Sequence, residues 1–326
     1  MVPEPGKVFT LGRHNGTVLE TVRRTLKRLV GRGADESSSF RIPADVDFET
    51  GFRQTVMEPA TEAAELLETY EQDRGRAIHQ SRKDLKKLRA ALRLIGDHAG
   101  DEFTPAESAR LRDAGHLLAG ARDADVKTQT LASLRQRGVL PVSDQVLDEW
   151  ASTLERERDE LLHQLDNPHD SVGSSDAVVR SIDAVIDECQ GVAKWPVEGL
   201  TLLTVRRALV HERARGIAAM GRVVEGGDEE SVHDFRKRIK DLWHHLDLLC
   251  DVVPAITPAH VQRAHDISDL LGDHNDLAVL VEDARSRPHL ISADDLADIA
   301  EAVRVLEMDL RNQAVAQARA LYRDLI

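Results

Sequence analysis

The chain has 326 residues, more than the ~100 to 200 of a typical domain, so its length implies two domains or one domain built from two similar halves. With 43 Lys plus Arg against 57 Asp plus Glu, the formal charge of −14 excludes generic adhesion to nucleic acid or to an anionic membrane, and any anion must be met by a local patch. Three Trp, two Tyr and six Phe, set against a 41% hydrophobic content, suit thin helix-to-helix packing and exclude an aromatic β-sandwich, so the expected fold class is all-α.

Residues 1–50 read as an N-terminal extension with one basic helical stretch, TVLETVRRTLKRLV, followed by a Gly/Ser-rich loop. The opening MVPEPGKVFT lacks the apolar segment of a signal peptide, and no run approaches the ~18 to 20 apolar residues of a membrane span. The expectation is a cytoplasmic protein that does not enter membranes. Beyond residue 50 helical periodicity is nearly continuous. It predicts helices over 52–71, 76–96, 105–119, 123–137 and 144–165, a hinge at DNPHDSVGSS (166–175), then helices over 176–190, 200–224, 230–251, 258–272, 276–286 and 293–325. The expected halves are 51–170 and 171–326. Cys189 and Cys250 lie inside helical patterns, too few for a disulfide framework or a cysteine zinc site, and are expected to be buried thiols.

The chain matches itself at a fixed offset. AIHQSRKDLKKLRAALRLI (77–95) aligns with SVHDFRKRIKDLWHHLDLL (231–249), pairing His79 with His233, Arg82 with Arg236, Lys83 with Lys237 and Lys86 with Lys240. At an offset one residue shorter, ARLRDAGHLLAGARDADV (109–126) aligns with QRAHDISDLLGDHNDLAV (262–279), pairing Asp113 with Asp266, Leu117 with Leu270 and Asp123 with Asp276. The spacing therefore predicts an internal duplication.

At ~100° per residue, His79, Arg82, Lys83, Lys86, Arg89 and Arg93 share one arc of a helix, opposite Ile78, Leu85, Leu88, Leu92 and Ile95. A solvated face ordinarily interleaves acids at i,i+4, yet Asp84 is the one acid of this helix and falls to the side. Crowded like charges repel by a few tenths of a kcal/mol per pair, whereas a charge-assisted bond to an anion returns ~1.5 to 3 kcal/mol. The stripe thus predicts an anionic ligand. The second copy presents His233, Arg236, Lys237, Lys240 and His244, diluted by Asp234, Asp241 and Asp247, and is expected to contribute less. A histidine among these cations is expected to titrate low until an anion arrives.

Other signals are weaker. Asp123 and Asp276 follow a helix end and a turn, and are expected to cap the next helix. Arg122 beside the first cap, with Arg206 and Arg207 near the start of the second half, are further candidate contacts. Asp123 with Asp125 is a poor metal pair, no His-Glu-x-x-His pattern organises the fourteen histidines, and no phosphate loop or nucleophile elbow occurs. No metal site, cofactor or catalytic set is expected. Nucleic acid is disfavoured because Trp243 is the sole aromatic on the basic stripes.

The paired basic segments, with LAGARDADV and LGDHNDLAV downstream, resemble the conserved histidine α-helical domain, or CHAD, family over roughly residues 50–325. The resemblance implies two four-helix bundles related by a pseudo-twofold axis, whose His-bearing helices line a basic central groove or pore that binds inorganic polyphosphate. The implied ligand set is His79, Arg82, Lys83, Lys86, Arg89 and Arg93 with His233, Arg236, Lys237 and Lys240. The chain departs from the family where Ala119 replaces a glycine, Trp243 stands opposite Arg89 and Asp247 opposite Arg93. The triphosphatase-type domain sometimes joined to such modules is not discernible. The expectation is a non-enzymatic polyphosphate binder, resident in the cytoplasm or on polyphosphate granules. The alternatives are a scaffold for phosphorylated or acidic protein partners, or a metal-dependent phosphatase or phosphotransferase using Asp123 and Asp125.

Overall fold

The computed structural model describes residues 40–69, 72–117, 120–166 and 175–325. The basic stretch at 17–30, Ala119 and most of the 166–175 hinge lie outside these residues. Among the described residues eleven α-helices and no strand form, as the composition predicts. They are α1 (Phe48–Glu68), α2 (Arg74–Leu94), α3 (Gly96–Ala99), α4 (Phe103–Leu117), α5 (Gly120–Gln136), α6 (Asp144–Asp166), α7 (Ser175–Gly191), α8 (Leu202–Val224), α9 (Glu229–Leu249), α10 (Pro258–Arg285) and α11 (Ala293–Asp324).

Local chemistry sets the helix starts. The side chains of Asp47, Asp73, Thr201, Asp228 and Ser292 each accept the backbone N–H three residues on, which satisfies a donor that the first turn leaves unpaired. The two basic helices, α2 and α9, are therefore both capped by an aspartate just ahead of their first turn.

Packing divides the helices differently from the expected halves. α1 lies against α2 and α7, and α4 lies against the same two, so α1, α2, α4 and α7 share a core. α8, α9, α10 and α11 pack in turn, α11 closing back on α8. Ser175–Gly191 thus belongs with the first group, not with the second as a boundary at 170/171 requires. Its Ile182, Val185 and Cys189 are buried with residues of α1 and α2. The physical reason is that burial, not proximity in sequence, assigns a helix to a core.

The α5–α6 hairpin stands apart. Leu131, Leu134, Leu147, Trp150 and Leu154 form a second core with Leu280, Ile291, Ile299 and Val303 of the α10–α11 region. A buried polar knot fixes it: Asp283 accepts from Lys127 Nζ at 2.8 Å, Trp150 Nε1 at 2.9 Å and Arg287 Nε at 2.7 Å. Arg287 also holds Glu157 with two bonds of 2.8 and 2.7 Å. The break expected between 272 and 276 is absent, and α10 runs through it. Ile267, Leu271, His274, Leu277, Leu280 and Ala284 are buried at successive spacings of three and four, one stripe that outweighs the ~1 kcal/mol cost of Gly272 inside a helix.

Candidate anion-binding site

Helix α2 buries Leu85, Leu88 and Leu92, with Ile95 at its C-terminal cap, so its opposite face must carry the cations. That face is not simply solvated. Arg82, Lys83, Lys86, Arg89 and Arg93 are all half-buried, while His79 is exposed. On one side they meet α4, where Arg82, Lys86 and Arg89 line a cavity of about 110 Å³ with Arg112 and His116. On the other side α2 meets α9: Arg93 Nη1 donates to Asp241 Oδ1 at 2.5 Å, and His245 Nε2 contacts the Ala90 carbonyl oxygen at 2.8 Å. Asp84, expected at the side, is wholly buried and bonds Lys87 at 3.0 Å.

Helix α9 presents His233 and Lys237 to solvent, with Arg236 and Lys240 half-buried. His244 departs from the expected polar arc: it is only 7% exposed. Its ring stacks on Trp243 with centroids 4.5 Å apart, and Trp243 in turn meets the His265 ring edge-on at 4.3 Å, so the polar arc is closed at this point by aromatic packing. Burial holds the His244 imidazole well below its ordinary range, and Lys240 of its own helix with Lys87 and Lys86 of α2 push it further down. The imidazole is therefore neutral, with Nε2 buried and unbonded. Lys86 of α2 and Lys240 of α9 thus act on the same ring, while Lys87 is itself paired with Asp84 at 3.0 Å. His233 is also lowered, first by burial and then by Lys237 and Arg236, against Asp234 and a hydrogen bond to Asn275. Burial and the neighbouring Arg93 disfavour the charged form of Arg89, whose Nε is buried without a partner.

The acids counted against the second stripe are occupied. Asp234 pairs with Arg222 at 2.5 Å and Arg238 at 3.6 Å, Asp247 with Arg41 at 3.0 Å, and Asp241 with Arg93. Arg41 is drawn in by the chain entering α1: Ile42 N–H donates to the Leu248 carbonyl at 3.0 Å. The two stripes are thus more equal than their sequences suggest, because Arg93 of the first is committed to the acid of the second.

The remaining candidates scatter. Asp123 lies in the first turn of α5 and pairs with Arg82 at 3.7 Å, while Asp276 lies inside α10, where nothing needs a cap. Both correct the capping assignment. Only the backbone of Arg122 is described. Arg206 and Arg207 are exposed on α8, and among the described residues no hydrogen bond or ion pair joins them to α2 or α9. Arg112, His116 and Arg41 escaped the sequence reading as members of this region. The signal for Arg112 and His116 was their i,i+4 spacing on one face of α4.

Among the described residues no group of three His, Cys, Asp or Glu is placed to hold a metal ion. Cys189 and Cys250 are free and buried, and burial pushes the Cys189 thiol up to about 12. No helix of the described residues is long and apolar enough to cross a membrane.

Comparison with known proteins bears on the fold. The crystal structure of the CHAD domain from the plant Ricinus communis is similar to this chain, with a TM-score of 0.58 and 19% identity over 88% of this chain and 95% of that one. Comparison with curated proteins finds no match. The family profile of the CHAD domain matches residues 60–285. That span covers well over half of the sequence and includes both basic helices, and on this ground the chain belongs to the CHAD domain family.

Proposed function

We propose that the chain binds inorganic polyphosphate without catalysing its turnover, in a basic groove between α2 and α9 formed by duplicated halves. The observation that carries this reading is that α2 and α9 meet directly, through Arg93–Asp241 and His245–Ala90, with half-buried Lys86 of one and Lys240 of the other both acting on the buried His244. Like charges held together in a protein of net −14 are sustained most economically by a ligand of opposite charge. A flexible polyanion suits such a site because each phosphate adds the same contact, and no base or side chain of the ligand needs recognition. His79, Arg82, Lys83, Lys86 and Arg89 would serve from α2, with His233, Arg236, Lys237 and Lys240 from α9. Arg93 would hold the two helices together rather than the ligand. The reading places the protein in the cytoplasm or at polyphosphate granules.

The test is a salt titration of polyphosphate binding by the full chain. The logarithm of affinity is expected to fall linearly with that of salt concentration. Lys83→Glu with Lys86→Glu is expected to weaken binding by about a hundredfold, two charge-assisted contacts at roughly 1.5 kcal/mol each. Tight binding that survives this double change defeats the assignment. Orthophosphate release that depends on a divalent metal and on Asp123 defeats the non-catalytic part.

A further inference from the structure

The cavity between α2 and α4 has a composition that the groove alone does not require. Arg82, Lys86 and Arg89 reach it from α2, Arg112 and His116 from α4, and Leu85 supplies an apolar wall. Arg89 keeps a buried Nε–H with no acceptor. Of the acids at hand, Asp113, bonded to Arg112 at 3.0 Å, and Asp123, 3.7 Å from Arg82, are 66% and 62% exposed, so solvent screens their attraction, and the buried Asp241, which also acts on Arg89, is bonded to Arg93. Cations therefore face one another across a small void with one donor left over.

Size and charge narrow the occupant. The cavity is small, about 110 Å³, and only partly open to solvent, so it admits a compact anionic group better than a length of chain. An internal phosphate of a chain needs room for a bridging oxygen on each side, whereas a terminal one continues on one side only. A terminal phosphate also carries a second ionisation near pH 6 and approaches a double charge at neutral pH, which suits several guanidinium groups at once.

We propose that this cavity seats the terminal, doubly charged phosphate of a polyphosphate chain and so fixes one end of the ligand beside the groove. The inference rests on the polyphosphate reading above, and adds Arg112 and His116 to it.

The experiment compares three probes on the full-length protein: linear tripolyphosphate, cyclic trimetaphosphate, which has three phosphates and no end, and orthophosphate. Each is titrated into the unaltered chain, Arg112→Gln and His116→Asn. Both altered positions are exposed and cost the fold little. The expected result is about a tenfold loss for tripolyphosphate in Arg112→Gln, the worth of one charge-assisted contact, a smaller loss in His116→Asn, and unchanged trimetaphosphate binding in both. The phosphorus resonances of the chain ends, not of the middle phosphate, are expected to shift on binding and to lose that shift in Arg112→Gln. Equal losses for linear and cyclic probes, or none for either, overturn the seat while polyphosphate binding stands. A loss for orthophosphate as large as that for tripolyphosphate assigns the cavity to free phosphate and overturns the chain-end assignment. If the unaltered chain binds neither trimer nor long polyphosphate, the underlying reading fails and the seat with it.

Discussion

Arg93 and Asp241 illustrate how one contact changes the meaning of two residues. Asp241 is buried, its carboxylate is compensated by Arg93 at 2.5 Å, and the pair spans the junction of α2 and α9. Removing Arg93 strands a charge in a poorly solvated place, whereas removing both leaves a smaller defect. Arg93→Ala is expected to cost about 2 to 3 kcal/mol, below the usual figure for a fully buried pair because Arg93 keeps 28% of its side chain exposed. Asp241→Asn in the same background is expected to recover most of that loss, as a double-mutant cycle in urea would measure. The spacing alone put Arg93 on the cationic arc and Asp241 among the diluting acids, and both placements were correct as angles. Their partnership was not legible, since it depends on the distance between two helices far apart in sequence. The same holds for Arg112 and His116, which spacing puts on one face of α4 but cannot put opposite Arg89.

At the level of elements, the α5–α6 hairpin depends on Asp283. Burial by itself raises that carboxyl, but hydrogen bonds from Arg287, Lys127 and Trp150 more than offset this and bring it down to about 2. Glu157 is lowered too, chiefly by its bonds from Arg287. A folded value below the unfolded one, near 3.9 for Asp, contributes stability that is complete above pH 4 and is lost as pH falls from about 4 toward 2. Amide exchange across α5 and α6 is therefore expected to accelerate over that interval before exchange in α1, α2 and α9. Uniform acceleration throughout the molecule counts against an anchoring role. Helix positions were largely legible here because core stripes repeat at helical spacing. What the spacing overrated was the break within α10, where a glycine and four polar residues (Asp273 to Asp276) resemble a turn but a buried stripe runs through them. It also could not assign α7, because an amphipathic helix declares that it has an apolar face and not which neighbour covers it.

For the molecule as a whole, the gathering of cations sets the pH response of binding. His233 titrates low because of burial first, and then Lys237 and Arg236. An anion beside it offsets the cationic contribution and raises its value, so the bound state takes up protons and affinity is expected to strengthen as pH falls from 7 toward 6. Calorimetric titrations in buffers of different ionisation enthalpy check this, and His233→Gln is expected to reduce the proton uptake. A saturating ligand is likewise expected to raise thermal stability, by about 2.7 kcal/mol at a hundred times the dissociation constant. The amino-acid order settled the helical class, the apolar and cationic sides of each basic helix, and the family likeness, because these follow from composition and from a periodicity that each segment carries within itself. Only the tertiary arrangement decided that α7 completes the first core, that the acids of the second stripe are answered by Arg41, Arg93, Arg222 and Arg238, and that His244 is buried within the electrostatic influence of lysines on two helices. Those outcomes turn on long-range packing, where burying apolar surface brings together charges that no local pattern relates.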